Sequence, residues 1–211
     1  MSLLFDIGAN KGKYTEANET KYDKVVMVEA NPELAFELAN KFKNNKKVQI
    51  VNQAVSDQPG DVTFYINEDE NTISTVDTEW VEKSRFSDVC KRWRPIQVSA
   101  ISIDELAEQF GKPSYIKIDV EGYELNVLKS MKKRHASHVA FEWAEEKKKE
   151  LIESVEYLML LGYSQFAIQF TDQYTYSPSA TEFHPGQQVI QWMKQTLDEN
   201  RKSAWGMIHA I

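Results

Sequence analysis

Acidic and small residues cluster where the first two strands of this sequence are expected to end. The segment "FDIGANKG" places Asp6, Gly8 and Gly12 after an apolar run, and the next apolar run ends at Glu29. Ligands of open α/β sheets bind beyond the carboxyl ends of the strands. A carboxylate at Glu29 is suited to accept hydrogen bonds from the two hydroxyls of a ribose. Asp6 is suited either to bind an ammonium group or to fix the loop, and both acids could instead cap helices.

The glycine spacing argues against two common nucleotide-binding loops. Gly8 and Gly12 stand four apart, whereas a dinucleotide-binding turn has the pattern G-x-G-x-x-G. A phosphate-binding P-loop needs Gly-Lys followed by Ser or Thr, and here Tyr14 follows Lys13. Phosphate binding by this turn is therefore disfavoured. The small residues Gly8 and Ala9 instead let the backbone pass close to an amino-acid group.

A second group of acids follows the fourth and fifth strands of the expected parallel sheet. Asp119 and Glu121 lie in "IKIDVEG", and Glu142 ends the next strand in "FEW". A carboxylate at such a position can remove the proton of an acceptor hydroxyl, and the helix dipole favours an anion at Glu121. The alternative is that Asp119 and Glu142 hold a divalent ion, Mg²⁺ or Mn²⁺, that acidifies the hydroxyl. Lys117 alternates with Asp119, so an ion pair between them is equally expected.

Alternating strands and helices must position these residues. Strands are predicted over 3–7, 24–30, 47–55, 61–67, 114–120, 138–143, 163–170 and 203–211. Helices are predicted over 14–20, over 32–45 with Asn31 as the cap, from Ser102 or Asp104 to Gly111, and over about 147–161. Short crossovers between nearly continuous apolar strands predict an α/β domain with a mostly parallel sheet and helices on both faces.

The segment 62–98 interrupts this alternation. It begins within a strand-like run, "DVTFYIN", and the stretch after that run has no clean period. An insertion of this kind more often faces a substrate than fills a core. Flat aromatic faces and fork-shaped donors, which together bind sugars, fall in this segment or beside Glu142. The candidate acceptor-binding residues are Trp80, Arg85, Trp93, Arg94 and Trp143.

Five segments together resemble the FkbM family of S-adenosylmethionine-dependent methyltransferases. They are "FDIGANKGKYT", "VEANPE", "NQAVSDQPGDVTFYI", "ISIDEL" and "YIKIDVEGYELNVLKSM", in order between about residues 3 and 143. The resemblance implies a Rossmann-like class I methyltransferase fold, with seven strands in the order 3-2-1-4-5-7-6 and the last strand antiparallel. It also implies O-methylation of a sugar hydroxyl, free or in a glycan.

The resemblance further implies which residues bind the methyl donor. In order from the methionine part of the donor through its ribose to its adenine, the residues are Asp6, Gly8, Ala9, Asn10, Gly12, Glu29, Ala30, Asn31, Ala54 and Val55. Asp119 would also face the donor. Two features depart from the family pattern: Ala30 stands where the family often has proline, and little chain precedes the glycine turn. The second departure leads us to expect a homo-oligomer or a domain of a longer polypeptide.

Composition narrows the class of protein. The 211 residues include 25 Lys and Arg against 32 Asp and Glu, and this net charge of −7 argues against nucleic acid as a partner. The sequence contains no apolar run long enough for a membrane span and no secretory leader. Its single cysteine excludes an internal disulfide. We therefore expect one domain over residues 1–211, in the cytoplasm.

Three other functions stay open at this point. The acceptor could be a small natural product or a lipid, the chain could be a donor-binding module without catalysis, or it could be a dehydrogenase that binds NAD. The presence of all three acids, Asp119, Glu121 and Glu142, argues against the module.

Overall fold

Strands and helices alternate along most of the chain. The computed structural model describes residues 1–58, 60–171, 173–198 and 200–211. Its strands are β1 (Leu3–Ile7), β2 (Lys24–Val28), β3 (Val48–Val51), β4 (Ala54–Val55), β5 (Asp61–Asn67), β6 (Trp93–Ile101), β7 (Tyr115–Ile118), β8 (His138–Ala144), β9 (Gln165–Phe170), β10 (His184–Pro185) and β11 (Trp205–Ala210). Its α-helices are α1 (Lys13–Asn18), α2 (Pro32–Lys41), α3 (Thr78–Lys83), α4 (Ile103–Phe110), α5 (Glu124–Lys129), α6 (Lys148–Leu160) and α7 (Gly186–Thr196).

Eight of the strands form one large sheet in the order β10-β9-β11-β8-β7-β1-β2-β3. The strands from β3 to β8 in this order pair in parallel, and β11 is antiparallel to both β8 and β9. The predicted order 3-2-1-4-5-7-6 and its antiparallel last strand are thereby confirmed. The predicted count of seven strands is wrong by one, because the two-residue strand β10 extends the edge beside β9.

The core lies on both faces of the large sheet. Successive side chains of a strand point to opposite faces, and β1 is buried along its whole length. Phe5 and Ile7 belong to a large apolar cluster with residues of α4, α5, α6 and α7. Leu4 belongs to a smaller cluster with Leu38 and Phe42, from α2 and the residue after it. The expectation of helices on both faces is confirmed.

The helix boundaries follow from local chemistry. The Asn31 side chain accepts a hydrogen bond from the Glu33 N–H at 3.0 Å, as predicted for the cap of α2. Of the two caps considered for α4, Ser102 is the one used: its hydroxyl accepts from the Glu105 N–H, and the Glu105 carboxylate accepts from the Ser102 N–H. Among the described residues, none of the helices combines the length and the apolar character that crossing a membrane requires.

The segment 62–98 contains more regular structure than its sequence indicates. β5 and β6 form an antiparallel pair from Asp61 opposite Ser99 to Asn67 opposite Trp93, and β4 pairs with β6 in parallel. These strands form a separate three-stranded sheet. We missed β6 because it is only half-buried, so charged and proline residues interrupt its apolar pattern. The segment between β5 and β6, with α3 in it, returns to the large sheet.

Candidate functional site

A cavity of about 260 Å³ opens at the carboxyl ends of β1, β2 and β7. Its wall is built from the loops after these three strands, the start of α1, strand β4, the segment between β5 and β6, the loop after β9, and single residues of β5, β8 and β11. This is the edge at which open α/β sheets bind their ligands. The predicted donor-binding residues on the wall are Gly8, Ala9, Asn10, Glu29, Ala30, Ala54, Val55 and Asp119.

Gly8 allows two loops to meet at the bottom of the cavity. Its φ of 72° lies in the left-handed region, which glycine adopts without strain. The N–H groups of Gly8 and Ala9 both donate to the Val28 carbonyl, at 3.0 and 3.1 Å. A Cβ atom on Gly8 would lie 1.7 Å from the carbonyl oxygen of Asp119. Any side chain here would therefore separate the loops after β1 and β7.

Asp6 holds this loop from below and does not reach the cavity. Its side chain is fully buried, and its Oδ2 accepts a hydrogen bond of 2.6 Å from the Thr15 hydroxyl. Lys117 Nζ lies 3.5 Å from Asp6 Oδ1 and donates to the Gly8 carbonyl at 3.0 Å. Of the two roles considered for Asp6, the geometry thus matches fixing of the loop.

Gly12 and Asn31 also lie behind the cavity wall. Gly12 precedes α1 with a φ of 77°, and it packs against Leu38, Met27 and Phe42. Asn31 is buried and caps α2. Both residues position the neighbouring loops rather than line the space between them.

Glu29 presents its carboxylate to the cavity in a fixed orientation. Oε2 accepts from the Asn10 N–H at 2.7 Å, and Oε1 accepts from the Asn31 N–H at 2.8 Å. Burial raises the pKa of Glu29 to about 6, although the two N–H groups oppose this shift. Each oxygen retains a further lone pair. The Glu29 carboxylate can therefore accept hydrogen bonds from the hydroxyls of a ligand such as a ribose.

Three carboxylates converge at the other end of the cavity. Asp119, Glu121 and Glu142 are half-buried, and one carboxylate oxygen of each residue lies within 4.8 Å of those of the other two. Burial and then neighbouring carboxylates raise the pKa of Glu121 and of Glu142 well above the usual range. Lys117 Nζ lies 3.2 Å from Asp119 Oδ2, which is the ion pair expected from their alternation. Glu121 and Glu142 are thus arranged to hold or release a proton.

The loop that carries Glu121 is fixed by hydrogen bonds from two sides. Glu121 has a left-handed φ of 58°, and its carbonyl accepts from the Thr75 hydroxyl at 2.8 Å. On the other side, Glu124 Oε1 accepts from the N–H groups of Val120 and Gly122, at 3.0 and 3.3 Å. Thr75 belongs to the segment between β5 and β6, so this segment positions one of the three acids.

Thr75→Val is expected to lower the free energy of unfolding by about 1–3 kcal/mol, because it removes a buried donor and leaves the Glu121 carbonyl without this partner. Urea unfolding monitored by circular dichroism would measure the loss. Thr75→Ser is the control, since serine keeps the hydroxyl. Equal losses in the two variants would show that the methyl group, and not the hydrogen bond, stabilises this contact.

The predicted acceptor-binding arginines form ion pairs with carboxylates away from the cavity. Arg85 contacts Glu146 through two hydrogen bonds, of 2.8 Å from Nε and 2.5 Å from a terminal nitrogen. Arg94 pairs with Glu33 at 2.8 Å and with Glu68 at 3.4 Å. Neither arginine is on the cavity wall.

The predicted acceptor-binding tryptophans are also outside the cavity wall. Trp80 is buried and packs against Gly122, underneath the Glu121 loop. Trp143 is buried and donates its Nε1–H to the Gln169 carbonyl at 3.3 Å. Trp93 lies at the start of β6, in the smaller sheet. The structure therefore does not bring these five side chains together at the cavity.

Other aromatic side chains, which we did not select from the sequence, line the cavity instead: Tyr14, Phe64, Tyr123, Tyr174 and Trp205. Trp205 could have been selected from one signal. It lies within the last predicted strand, over 203–211, and it begins β11, which lies beside β8 and its Glu142. The position of Tyr174, in the loop after β9, has no comparable sequence signal.

Comparison with known proteins gives a match along most of the chain. The family model "Methyltransferase FkbM domain" matches residues 6–194. The hexuronic acid methyltransferase AglP of Haloferax volcanii is 30% identical over 132 residues, which are 61% of this chain and 49% of that protein. The chain thus matches about half the length of this relative.

Solved structures that resemble this chain have low sequence identity to it. Precorrin-6y C5,15-methyltransferase of Geobacter metallireducens aligns with a TM-score of 0.47 and 12% identity, over 100% of this chain and 78% of that one. Fibrillarin of Aeropyrum pernix, solved with natively bound S-adenosyl-L-methionine, aligns with a TM-score of 0.44 and 10% identity, over 100% of this chain and 66% of that one.

Proposed function

This chain belongs to the FkbM methyltransferase family, and we propose that it transfers a methyl group from S-adenosylmethionine to a hydroxyl oxygen of a sugar, free or within a glycan. The family supports methyl transfer. A sugar acceptor is supported by the similarity to a protein named for its action on a hexuronic acid. The choice of a hydroxyl oxygen rests on the chemistry of the three carboxylates.

Residues along one half of the cavity wall suit the successive parts of the donor. When bound, S-adenosylmethionine supplies a methyl group on a positively charged sulfur. The close approach of the Gly8 and Asp119 backbones holds together the two loops that we assign to the methionine part. The two carboxylate oxygens of Glu29 suit the ribose hydroxyls. Ala54 and Val55 are small apolar residues on the wall and suit the adenine ring.

The cluster of three carboxylates, at the end of the cavity away from Glu29, favours a hydroxyl group over a carboxylate as the methyl acceptor. A hydroxyl must lose its proton during methylation, so a neighbouring base accelerates the step. An acceptor carboxylate needs no base, so it would leave these proton-binding groups without a role in the transfer. We therefore assign proton removal to the group formed by Asp119, Glu121 and Glu142, while the loops hold the hydroxyl in line with the donor. This cluster is the observation that carries the proposal.

The same cluster is the alternative site for a divalent ion. Among the residues that the structure describes, it is the group of acids with suitable spacing for one, and an ion there would acidify the acceptor hydroxyl. Proton removal by a carboxylate predicts turnover in EDTA. Metal assistance predicts turnover only with Mg²⁺ or Mn²⁺.

The experiment is transfer of an isotope-labelled methyl group to a panel of acceptors, followed by mass spectrometry. The panel contains neutral sugars, uronic acids, a lipid and small natural products, each with Mg²⁺ or with EDTA. We expect label in a sugar. Label only in a lipid or a natural product would contradict the sugar acceptor. Tight binding of S-adenosylhomocysteine without transfer to any acceptor would indicate a donor-binding module, and binding of NAD alone would contradict the methyl donor.

Glu29→Ala is expected to weaken binding of S-adenosylhomocysteine by about 10- to 100-fold, because hydrogen bonds to a charged group contribute about 1.5–3 kcal/mol. Isothermal titration calorimetry would measure the dissociation constant. Glu37→Ala is the matched control, since Glu37 is exposed on α2. An unchanged dissociation constant in Glu29→Ala would remove Glu29 from the donor site.

A further inference from the structure

One half of the cavity wall is not accounted for by the donor. Glu29 follows β2 and Trp205 begins β11, and these strands are four positions apart in the sheet order. Neighbouring strands are about 4.8 Å apart, so the two ends of the wall are separated by about 19 Å. In the proposed function the donor occupies the end near Glu29, Ala54 and Val55. The end near Trp205 is then available for the acceptor.

Trp205 and Glu142 point to the same face of the large sheet. Trp205 is paired with Ala144, and Met207 is paired with Glu142, across the antiparallel strands β11 and β8. Because alternate residues share a face, the indole ring lies on the same side as the Glu142 carboxylate. Both residues are half-buried and on the cavity wall.

The indole ring of Trp205 differs from that of the buried Trp143 in its contacts with the described residues. Trp143 packs edge-on against Phe170 and hydrogen-bonds Gln169. Within the described part of the chain, the Trp205 side chain has no hydrogen bond and no aromatic neighbour of this kind. A tryptophan that lines a cavity without such contacts leaves both its flat face and its N–H for a ligand.

The loop that carries Tyr174 is held at the same wall by hydrogen bonds to its backbone. Its carbonyl accepts from the Asn18 side-chain amide at 2.8 Å. The Gln169 amide donates to the carbonyls of Thr171 and Gln173, at 3.1 and 3.5 Å. The loop after β9 is therefore tied both to α1 and to β9. These bonds hold the backbone of Tyr174, which lines the cavity.

We propose that Trp205 and Tyr174 form the binding subsite for the ring of the acceptor sugar, beside Glu142. The inference rests on the proposed function, because it assigns the acceptor end of the same cavity. Pyranose rings present an apolar face of C–H groups, which suits the negative face of an aromatic ring. Their hydroxyls donate to carboxylates such as Glu142. A flat aromatic face next to a carboxylate that accepts hydrogen bonds fits a sugar ring better than a linear lipid.

The test is sugar binding measured without turnover, by saturation-transfer NMR on the full chain with S-adenosylhomocysteine and the sugars of the panel. Trp205→Ala is expected to weaken binding of the preferred sugar at least about tenfold, while Trp205→Phe retains most of it. Trp93→Ala is the control, because Trp93 is half-buried but not on the cavity wall. Affinity for S-adenosylhomocysteine should stay within about twofold in all three variants.

Several outcomes separate this inference from the proposed function. Wild-type affinity for the sugar in Trp205→Ala, or no sugar bound by the wild type, would overturn the subsite. Equal losses in Trp205→Ala and Trp93→Ala would also overturn it. Sugar binding that depends on Trp205, without transfer of the labelled methyl group, would leave the subsite in place and contradict the proposed reaction.

Discussion

Gly8→Ala is expected to abolish binding of S-adenosylhomocysteine and to lower the free energy of unfolding by several kcal/mol. The new Cβ would lie 1.7 Å from the Asp119 carbonyl oxygen, which belongs to the backbone and cannot rotate away. The φ of 72° adds strain, of about 1–2 kcal/mol for a residue with a side chain. The loops after β1 and β7 must then separate, and both line the cavity.

Gly162→Ala separates the effect of the steric clash from the effect of the backbone strain. Gly162 also has a positive φ, of 92°, but a Cβ there meets no atom of the described residues within 4 Å. This control should lose only about 1–2 kcal/mol and should bind S-adenosylhomocysteine like the wild type. Calorimetry and urea unfolding would measure the two properties. Equal destabilisation of the two variants, with normal ligand binding in Gly8→Ala, would contradict the role assigned to this close approach.

Glu142→Gln is expected to lower the turnover number by about 10²- to 10⁴-fold, which is the usual contribution of a general acid or base. Glutamine has nearly the same shape but cannot accept the hydroxyl proton. It also removes one of the three carboxylates of the cluster. Transfer of the labelled methyl group to the preferred sugar would measure the effect. A turnover number within about threefold of the wild type would exclude Glu142 from proton removal.

The same substitution is expected to stabilise the fold at neutral and alkaline pH. Burial and neighbouring carboxylates raise the pKa of Glu142 well above the ordinary value of 4.5, so the folded protein keeps a proton that the unfolded chain releases. This contribution to stability is complete below pH 4.5 and is lost as the pH rises through the raised pKa. Glutamine has no charge to desolvate. Its stabilising effect should therefore grow as the pH rises.

Urea unfolding at a series of pH values would measure this difference. Glu156→Gln is the control, because Glu156 is exposed on α6 and its substitution should leave the pH dependence of stability unchanged. A constant difference between Glu142→Gln and the wild type at all pH values would contradict a raised pKa. Higher stability combined with lost turnover would indicate that the cluster is maintained for function at the expense of stability.

The sheet and the donor end of the cavity could be predicted because they depend on short stretches of sequence. Fully buried strands such as β1 appear as uninterrupted apolar runs, and the residues that follow them are fixed at one edge of the sheet. Gly8 and Glu29 could therefore be assigned to one cavity from sequence alone. The half-buried β6 lacked such a run. Helix α7 was missed because it begins at Gly186 without a side-chain cap.

The end of the cavity near Trp205 could not be predicted because it depends on contacts between distant segments. Arg85 pairs with Glu146 and Arg94 pairs with Glu33, each across 61 residues of sequence. These partners neutralise side chains that the sequence presents as free donors. In the same way, Trp205 approaches Glu142 only because β11 inserts beside β8. Residue type alone thus selected aromatic and arginine side chains that are not on the cavity wall.

The position of the transferred methyl group tests hydroxyl methylation most directly. A uronic acid offers both hydroxyls and a carboxylate to the same site, so it is incubated with labelled S-adenosylmethionine and the product is analysed before and after mild alkali. Proton removal by Asp119, Glu121 and Glu142 predicts a methyl ether, which retains the label in alkali. A methyl ester, which releases the label in alkali, would contradict it.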